Sequence, residues 1–460
     1  MSKRKLQDNV SSNSPNKKFK SSILIDYAPS NTFIASRQNS FTQNRCTTYF
    51  KNLILRDPET TTPRQYGVLN IASFESLTNI LIHNSEVGLL NITRNPKNID
   101  CDNKCIIRIK SKLNCILPYI ESFKIHNAHR KQDIDLAIFQ NAIDIKLPLS
   151  ILLDDNNLNI IFKNCISLHI IIDPHNFEIR PENLSKIFQR FPNIENLKLS
   201  YLEHPLTQNI TNYILKTAPK HINTFEICIS DTVKTIDLSK IEVANEIFLD
   251  MQNTLQSNII WPKYVRHIII KDINQEALEF KNLNTNYTSI ITLYSVDNYS
   301  PLHYISQKFL GLISLNIHDL RIPINQMVLP KANNINLYFN ESYKLYYNYC
   351  YEKTDSETQD KISLYSIFEK LADIITSRGG KIIIDLKNVD NKLIELPAIF
   401  FKQYNGKNPF IIHTKSNYIT KLKIIDIDKN QIVDNAPINH LKVNCTDKSY
   451  KPEQQNLRSL

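Results

Sequence analysis

Cysteine and histidine side chains that could bind a metal ion stand close together at one place in this chain. Cys101 and Cys105 are separated by three residues, and Cys115, His126 and His129 follow. Thiolate sulfur and imidazole nitrogen are ligands that Zn²⁺ prefers, but this spacing fits no familiar zinc module. We therefore expect no metal site and no other cofactor, and we interpret these cysteines as buried or strand-edge thiols.

Sequence motifs of catalysis are absent from the chain. With six glycines among 460 residues, the sequence holds no glycine-rich loop that could cradle a phosphate. Neither a His-Glu-x-x-His zinc motif nor a Gly-x-Ser-x-Gly nucleophile motif occurs. Because acidic residues also form no obvious pair for acid and base chemistry, the sequence predicts a protein that is not an enzyme.

The residues best suited to bind a partner occupy one position of a short recurring unit, which is the position between its last two apolar residues. Reading that position along the chain gives Lys124, Lys146, His169, Lys198, Glu226, Phe248, Ile269, Thr292, Asn316 and Asn336. In neighbouring strands these residues would lie about 5 Å apart, where like charges repel unless an anion binds them. We therefore predict that the first four residues form a patch for acidic groups, although lysine is also simply common in this chain.

Apolar residues follow the basic ones in the same position. Phe248 and Ile269 succeed each other, and Tyr294 is nearby. An aromatic centre beside a charged zone is typical of a binding hot spot, so we predict that these three residues make apolar contacts with a partner. The alternative is that Phe248 and Ile269 mark strands covered on both faces.

The recurring unit reads apolar, two residues, apolar, one residue, apolar. Ten such units begin at Ile120, Ala142, Cys165, Ile194, Ile222, Ala244, Val265, Thr288, Leu312 and Ala332. The steps between these starts run from 20 to 29 residues. A recurring step of this size predicts a stacked solenoid, and the alternation within each unit predicts a short strand.

Helical segments are expected between these strands. Their apolar spacing and their terminating prolines or glycines predict helices over residues 183–190, 206–217, 301–310 and 362–377, the last ending at Gly379 and Gly380. Alternating strands and helices of these lengths predict an α/β fold with parallel strands on one side and helices on the other.

The segment Phe191 to Leu199, Phe-Pro-Asn-Ile-Glu-Asn-Leu-Lys-Leu, resembles the start of a leucine-rich repeat. The 28- and 29-residue steps resemble its helix-bearing subtypes, which are ribonuclease-inhibitor-like or F-box-associated. The ninth position of the unit, usually Asn or Cys in the family, is Asn only at Asn340 among the ten units. The resemblance, over roughly residues 70–446, implies a degenerate solenoid with a concave strand face that binds proteins and a convex helical face.

Composition divides the chain into six segments. We expect a disordered basic arm at 1–45, an N-terminal cap with the first repeats at 46–118, and the main repeat array at 119–340. A tyrosine-rich insert and a helix occupy 341–380, and C-terminal repeats occupy 381–446, with units that start at Lys381, Ile419 and Ile438. Residues 447–460 form a polar tail.

Charge is concentrated at the N-terminus. The whole chain carries a net charge of +10, and residues 1–20 contribute half of it. The two basic clusters resemble a bipartite nuclear-import signal that a carrier protein would bind, with a solubilising tail as the alternative; they are Lys3, Arg4, Lys5, Lys17 and Lys18. No secretory leader and no run of 18 apolar residues is visible, so we expect a nuclear or cytoplasmic protein without membrane contact. The bias towards Ile, Asn, Lys and Tyr suggests an AT-rich genome.

Together these features predict a non-enzymatic scaffold that binds a protein partner on its concave face. A substrate adaptor of a ubiquitin ligase is a second hypothesis, although residues 1–118 show no convincing F-box pattern. Nucleic-acid binding is a weaker third, because the chain beyond residue 20 has little net charge. An enzyme with an unrecognised site is the last alternative.

Overall fold

A computed structural model of the chain describes a large part of its length. The described residues are 32–35, 51–56, 64–70, 76–83, 85–90, 96–101, 106–109, 116–126, 133–172, 181–201, 207–228, 234–251, 258–272, 279–295, 300–318, 330–338, 364–385, 393–397, 403–404, 406–414, 421–426, 431–432 and 442–445. The predicted import residues, most of the predicted arm, the tyrosine-rich insert and the polar tail lie outside these ranges.

Short strands dominate the described residues. In chain order they are β1 (Thr32–Ala35), β2 (Asn52–Arg56), β3 (Arg64–Asn70), β4 (Asn79–His83), β5 (Ser85–Leu90), β6 (Asn98–Cys101), β7 (Ile106–Ile109), β8 (Ser122–Ile125), β9 (Asp133–Ile134), β10 (Asp144–Pro148), β11 (Ser167–Ile172), β12 (Asn196–Tyr201), β13 (His221–Cys228), β14 (Thr235–Asp237), β15 (Val243–Asp250), β16 (Asn258–Ile260), β17 (Tyr264–Lys271), β18 (Ile290–Tyr294), β19 (Leu312–His318), β20 (Ala332–Tyr338), β21 (Lys381–Asp385), β22 (Leu393–Pro397), β23 (Phe410–Thr414), β24 (Lys421–Asp426), β25 (Gln431–Ile432) and β26 (Lys442–Cys445).

Seventeen of these strands form one long sheet in which every pairing is parallel. Their order in space is their order in the chain: β1, β2, β4, β6, β8, β10, β11, β12, β13, β15, β17, β18, β19, β20, β21, β23 and β26. Each strand therefore pairs with the sheet strands immediately before and after it along the chain. This arrangement is consistent with a repeat architecture.

The other strands lie in the connections between strands of the long sheet. β3, β5, β7 and β9 form a parallel sheet of four strands, and β14 pairs in parallel with β16. Near the C-terminus β22 pairs in parallel with β24, which pairs antiparallel with β25. Apart from β24 with β25, the strands of the long sheet and of these smaller sheets pair in parallel, because each connection returns the chain to the same end of the next strand.

Few helices are described, and all of them also lie in connections. They are α1 (Leu149–Leu152), α2 (Pro181–Ser185), α3 (Thr207–Lys216), α4 (Ser300–Lys308) and α5 (Leu364–Ser377), with 3₁₀ turns at Leu136–Phe139 and Phe188–Arg190. The helices predicted over 206–217, 301–310 and 362–377 are confirmed by α3, α4 and α5. The segment 183–190 is only partly helical, because α2 ends at Ser185 and a 3₁₀ turn follows.

The helix end predicted at two glycines is confirmed. Gly379 has a φ of +75°, and the amide of Gly380 donates a hydrogen bond to the carbonyl of Ile375 at 2.8 Å. A left-handed residue followed by this backward hydrogen bond closes a helix, and glycine adopts that conformation without a steric penalty.

The buried face of the long sheet is formed by the predicted apolar positions. All thirty apolar positions of the ten units are buried, including the less apolar Cys165 and Thr288. All of them except Thr288 belong to one connected cluster that runs from Leu53 to Phe410. Helical residues such as Ile214, Ile305 and Ile375 join the same cluster, so the connections cover the buried face of the sheet.

Backbone hydrogen bonds also repeat where the long-sheet strands begin. The carbonyl of Glu121 accepts from the amides of Ile143 and Asp144 at 3.0 Å each, and the carbonyl of Ile166 accepts from Glu195 and Asn196 at 2.9 Å each. In both cases one carbonyl accepts hydrogen bonds from two successive amides of the next strand. These backbone donors therefore have an acceptor at the start of the strand.

Two of the C-terminal predictions were wrong in register or place. Ile382 and Ile384 pair with Ile335 and Leu337, so the unit there begins at Gly379, two residues before the predicted Lys381. β24, which includes the unit predicted from Ile419, lies in the small sheet with β22 and not in the long sheet. The sequence also missed the strand that buries Ile99 and Cys101.

Among the helices that the structure describes, none combines the length and the apolar character needed to cross a membrane.

Candidate functional site: the open face of the long sheet

In most strands of the long sheet, buried side chains on the core face alternate with less buried side chains on the other face. On the face opposite the core, which we call the open face, most side chains are only half-buried, as the pattern of β8 and β19 shows, whereas Thr292 in β18 is buried. The predicted binding positions form one straight row across this face, which we call the central row. Direct strand pairing places in it Asp100, Lys124, Lys146, His169, Lys198, Glu226, Phe248, Ile269, Thr292, Asn316 and Asn336.

The basic part of the central row is largely neutralised within the protein. Lys124 forms an ion pair with Asp144 at 2.6 Å, and Lys198 forms one with Glu226. These carboxylates relieve the repulsion that the sequence assigned to a missing anion. Lys124 and Lys198 therefore need no acidic ligand to balance them, although both pairs remain about one third exposed.

His169 adds no positive charge to the row near neutral pH. Burial, together with the positive charges of Lys146 and Lys198, lowers the pKa of His169 to about 3. Its Nε2 lies 2.6 Å from the hydroxyl of Ser200, so a neutral ring makes a hydrogen bond across strands. His169 is thus a polar rather than a cationic member of the predicted patch.

Lys146 differs from the other two lysines of the row. Among the described residues no carboxylate lies within ion-pair distance of it, and its Nζ lies 2.8 Å from Nδ1 of His126. Nε2 of His126 in turn lies 3.1 Å from Asp100. Burial, and then the charge of Lys198, lowers the pKa of Lys146, while the hydrogen bond from His126 lowers the pKa of Asp100.

Phe248 and Ile269 are direct neighbours in β15 and β17, and both side chains are half-buried. The described chain does not cover them completely, which argues against strands buried on both faces. Four strand steps separate Lys146 from Phe248, or about 19 Å at the usual strand spacing. The open face therefore presents the apolar pair Phe248 and Ile269 at a fixed distance from Lys146, a lysine that forms no ion pair with a described carboxylate.

Tyr294 lies in a different row from Phe248 and Ile269. It is the neighbour of Lys271 on one side and of His318 on the other. Its ring stacks on His318 with centroids 4.3 Å apart, and His318 stacks on Tyr338 at 4.0 Å. The structure thus places Tyr294 at the end of a column of three stacked rings, which the sequence did not predict.

A series of side-chain hydrogen bonds follows on the open face beyond Phe248 and Ile269. His267 contacts Glu246 at 3.0 Å and Thr292 at 2.9 Å through its two ring nitrogens. Asn316 donates to Thr292 at 2.9 Å, and Asn336 donates to Asn316 at 2.5 Å. These hydrogen bonds join side chains of neighbouring strands and give this polar part of the face a fixed geometry. Among the described residues, Oδ1 of Asn336 is buried there without a hydrogen-bond partner.

Cys101, Cys165 and Cys228 are cysteines that the structure describes, while Cys105, Cys115 and His129 of the metal-candidate group lie outside the described residues. Cys101, one of the metal candidates, is buried in the core beside Ile125. Burial raises the pKa of the Cys165 thiol to about 12 and also raises the pKa of Cys228. Within the described part of the chain, no three His, Cys, Asp or Glu side chains are arranged to hold a metal ion.

Comparisons of the chain with protein-family models, with curated proteins and with solved structures found no match.

Proposed function

We propose that the protein is a non-enzymatic scaffold that binds a partner protein on the open face of the long sheet. The observation that carries this proposal is the half-buried pair Phe248 and Ile269, which stands in one row with a block of charged residues. Apolar side chains that remain open beside polar ones are the usual centre of a protein interface.

The proposed partner presents an acidic group to Lys146 and an apolar group to Phe248 and Ile269. Lys124 and Lys198 hold their own carboxylates, so they shape the charged zone rather than bind a free acid. In this charged zone His169 donates or accepts a hydrogen bond. Tyr294, the last ring of the column stacked on His318, makes an apolar contact with the partner. The spacing of about 19 Å corresponds to about 13 residues of a partner helix along the row.

In this proposal the chain is a degenerate leucine-rich-repeat-like solenoid. The open face is its concave side, and the helices in the connections lie on the convex side. Support comes from the strand order, which follows the chain, and from the burial of every predicted apolar position. Solenoids of this kind present long surfaces to partners because each coil adds one strand to a continuous face.

The test compares proteins that co-purify with tagged full-length chain, quantified by mass spectrometry. The variants are Phe248→Asp and Lys146→Glu on the open face, with Tyr213→Asp on the exposed side of α3 as a control. We expect a partner that Tyr213→Asp retains and that Phe248→Asp reduces about thirtyfold, the effect of a hot-spot residue. An identical set of proteins on all forms would overturn the proposal.

The proposal includes import of the scaffold into the nucleus by its N-terminal basic clusters. Replacement of Lys3, Arg4 and Lys5 by alanine in a fluorescent fusion should shift the protein to the cytoplasm. The Lys97→Ala fusion, which removes a lysine paired with Glu121, is the control. Unchanged nuclear signal in the arm variant would contradict the import role.

A further inference from the structure

We propose that Lys146 is the nucleophile of a covalent capture site that binds aldehydes or ketones as an imine, with His126 as its base and Asp100 orienting His126. This activity does not depend on the proposed protein partner.

The geometry follows the pattern of an activated nucleophile. Nζ of Lys146 lies 2.8 Å from Nδ1 of His126, and Nε2 of His126 lies 3.1 Å from Oδ1 of Asp100. A nucleophile within hydrogen-bond reach of a base, with the base oriented by a third group, is the arrangement that activates serine and cysteine, and a lysine is activated by burial or by a neighbouring cation. Lys146 combines both features. The contact with Asp100 orients the ring of His126, so that Nε2 faces the carboxylate and Nδ1 faces Nζ of Lys146.

Strand register holds the three groups in place. Asp100 and Lys124 are direct neighbours in β6 and β8, and Lys124 and Lys146 are direct neighbours in β8 and β10. His126 follows β8 on the same face, between the side chains of Asp100 and Lys146. Asp100 and Lys146 belong to strands of the long sheet, and the amide of His126 donates to the carbonyl of Cys101 at 2.9 Å directly after β8. Backbone pairing thus holds all three groups, which favours precise positioning.

The surroundings of Lys146 make its ammonium group easier to deprotonate than that of an exposed lysine. Burial and the charge of Lys198 lower the pKa of Lys146, although Asp100 and Asp144 act in the opposite direction. The charged and titratable groups that face Lys146 from its own and neighbouring strands are Asp100, Lys124, His126, Asp144, His169 and Lys198. The site is open to a small molecule, because the side chain of His126 is 33% exposed and that of Asp100 is 45% exposed.

The chemistry balances without a further reagent. His126 accepts a proton from the Lys146 ammonium group, and the neutral Nζ attacks the carbonyl carbon. The attacking nitrogen passes one of its protons to the carbonyl oxygen, which gives a neutral carbinolamine. His126 then returns its proton to the new hydroxyl group, and that group leaves as water. An ammonium group and a carbonyl compound thus become a protonated imine and one water molecule, in a reversible reaction. Capture, rather than turnover, is the outcome.

The experiment uses folded full-length protein, propanal as an uncharged probe, and cyanoborohydride to reduce each imine to a stable amine. Peptide mass spectrometry gives the labelling rate of every lysine at pH 7. We expect Lys146 to react several-fold faster than Lys220, an exposed lysine whose hydrogen bond to Glu242 raises its pKa. Equal rates at Lys146 and Lys220 would overturn the proposal.

Variants distinguish activation of Lys146 by His126 from simple exposure of Lys146 to the reagent. His126→Gln should slow labelling of Lys146 at least about tenfold, because a positioned base is lost. Asp100→Asn should slow it less, and His303→Gln on the exposed side of α4 should leave it unchanged. A rate in His126→Gln equal to that of the unaltered protein would contradict the role of His126.

The variant Lys146→Arg distinguishes this proposal from the protein-binding one. Arginine keeps the positive charge but forms no imine, so partner binding should persist while labelling at this position disappears. Labelling of Lys146 without any bound partner would contradict only the scaffold function. A partner on a protein whose Lys146 reacts no faster than Lys220 would contradict only the capture site.

Discussion

A Cβ atom on Gly380 would overlap the backbone carbonyl oxygen of Asn333, so the end of α5 lies directly against the start of β20. The same Cβ would lie 2.9 Å from Cγ2 of Ile375, whose side chain is buried in the core. Glycine is needed here for space, whereas Gly379 beside it is needed for its φ of +75°.

The first prediction concerns this contact. Gly380→Ala should lower the free energy of unfolding by about 3 kcal/mol, because a backbone atom cannot move aside as a side chain can. Gly311→Ala is the matched control, since a Cβ there meets nothing within 4 Å. Urea unfolding of both variants checks the difference, and equal midpoints would refute the close approach.

The second prediction concerns the pH dependence caused by His169. Its pKa is about 3 in the folded protein, against 6.5 for the free side chain, so the unfolded chain binds a proton that the folded chain does not. Stability is then lost as pH falls from 6.5 towards 3, by at most about 1.4 kcal/mol per pH unit. Between pH 7 and pH 5, His169→Gln should lose about 2 kcal/mol less stability than the unaltered protein. The same loss in both would show that His169 does not resist protonation.

The third prediction concerns Arg190, a buried cation. Its Nε donates to the carbonyl of Ile160 at 3.0 Å and its Nη1 to that of Leu152 at 2.6 Å, while the guanidinium lies over the stacked rings of Phe162 and Phe191. Arg190→Leu leaves both carbonyls without these donors and should cost about 3 kcal/mol.

The control for Arg190 is Lys186→Leu, an exposed basic residue of the same segment. A surface change of this kind should alter stability by no more than about 0.5 kcal/mol. Comparable losses in the two variants, measured by thermal or urea unfolding, would mean that the two donated hydrogen bonds contribute little.

The fourth prediction concerns the stacked column on the open face. A double-mutant cycle of Tyr294→Ala and His318→Ala should give a coupling of about 1 kcal/mol, the usual value for a stacked ring pair. Tyr294→Ala combined with Gln307→Ala on α4 should be additive, because distant sites do not couple. A coupling near zero for the stacked pair would contradict the column.

The sequence predicts the long sheet well because burial decides the phase of each strand. In units such as Ile145-x-Leu147, a shift of the strand register by one residue would turn every apolar side chain towards solvent, so only one register buries them. Around β21 the run Ile382, Ile383 and Ile384 is apolar in both phases, and the prediction there was displaced by two residues. β6 was missed because its unit starts at Pro96 and ends at Cys101, which look unlike a repeat.

The central row was predicted residue by residue, but its charge balance was not. Asp144 and Lys124 come from different rows of adjacent strands, and their ion pair appears only when neighbouring rows are considered together. Asp100 belongs to a strand that the repeat pattern missed, so its contact with His126 was not visible either. The sequence therefore indicated which side chains share a face, while the pairing among them depended on three-dimensional register.

Because each strand of the long sheet pairs only with its neighbours along the chain, the molecule has a simple response to mechanical force. Tension applied between the two ends would detach one strand at a time from a sheet edge, while the remaining strands keep their partners. Steps of 20 to 29 residues would each release about 7 to 10 nm of chain. Such a protein would lengthen in regular increments under load and would keep the remaining part of its binding face folded.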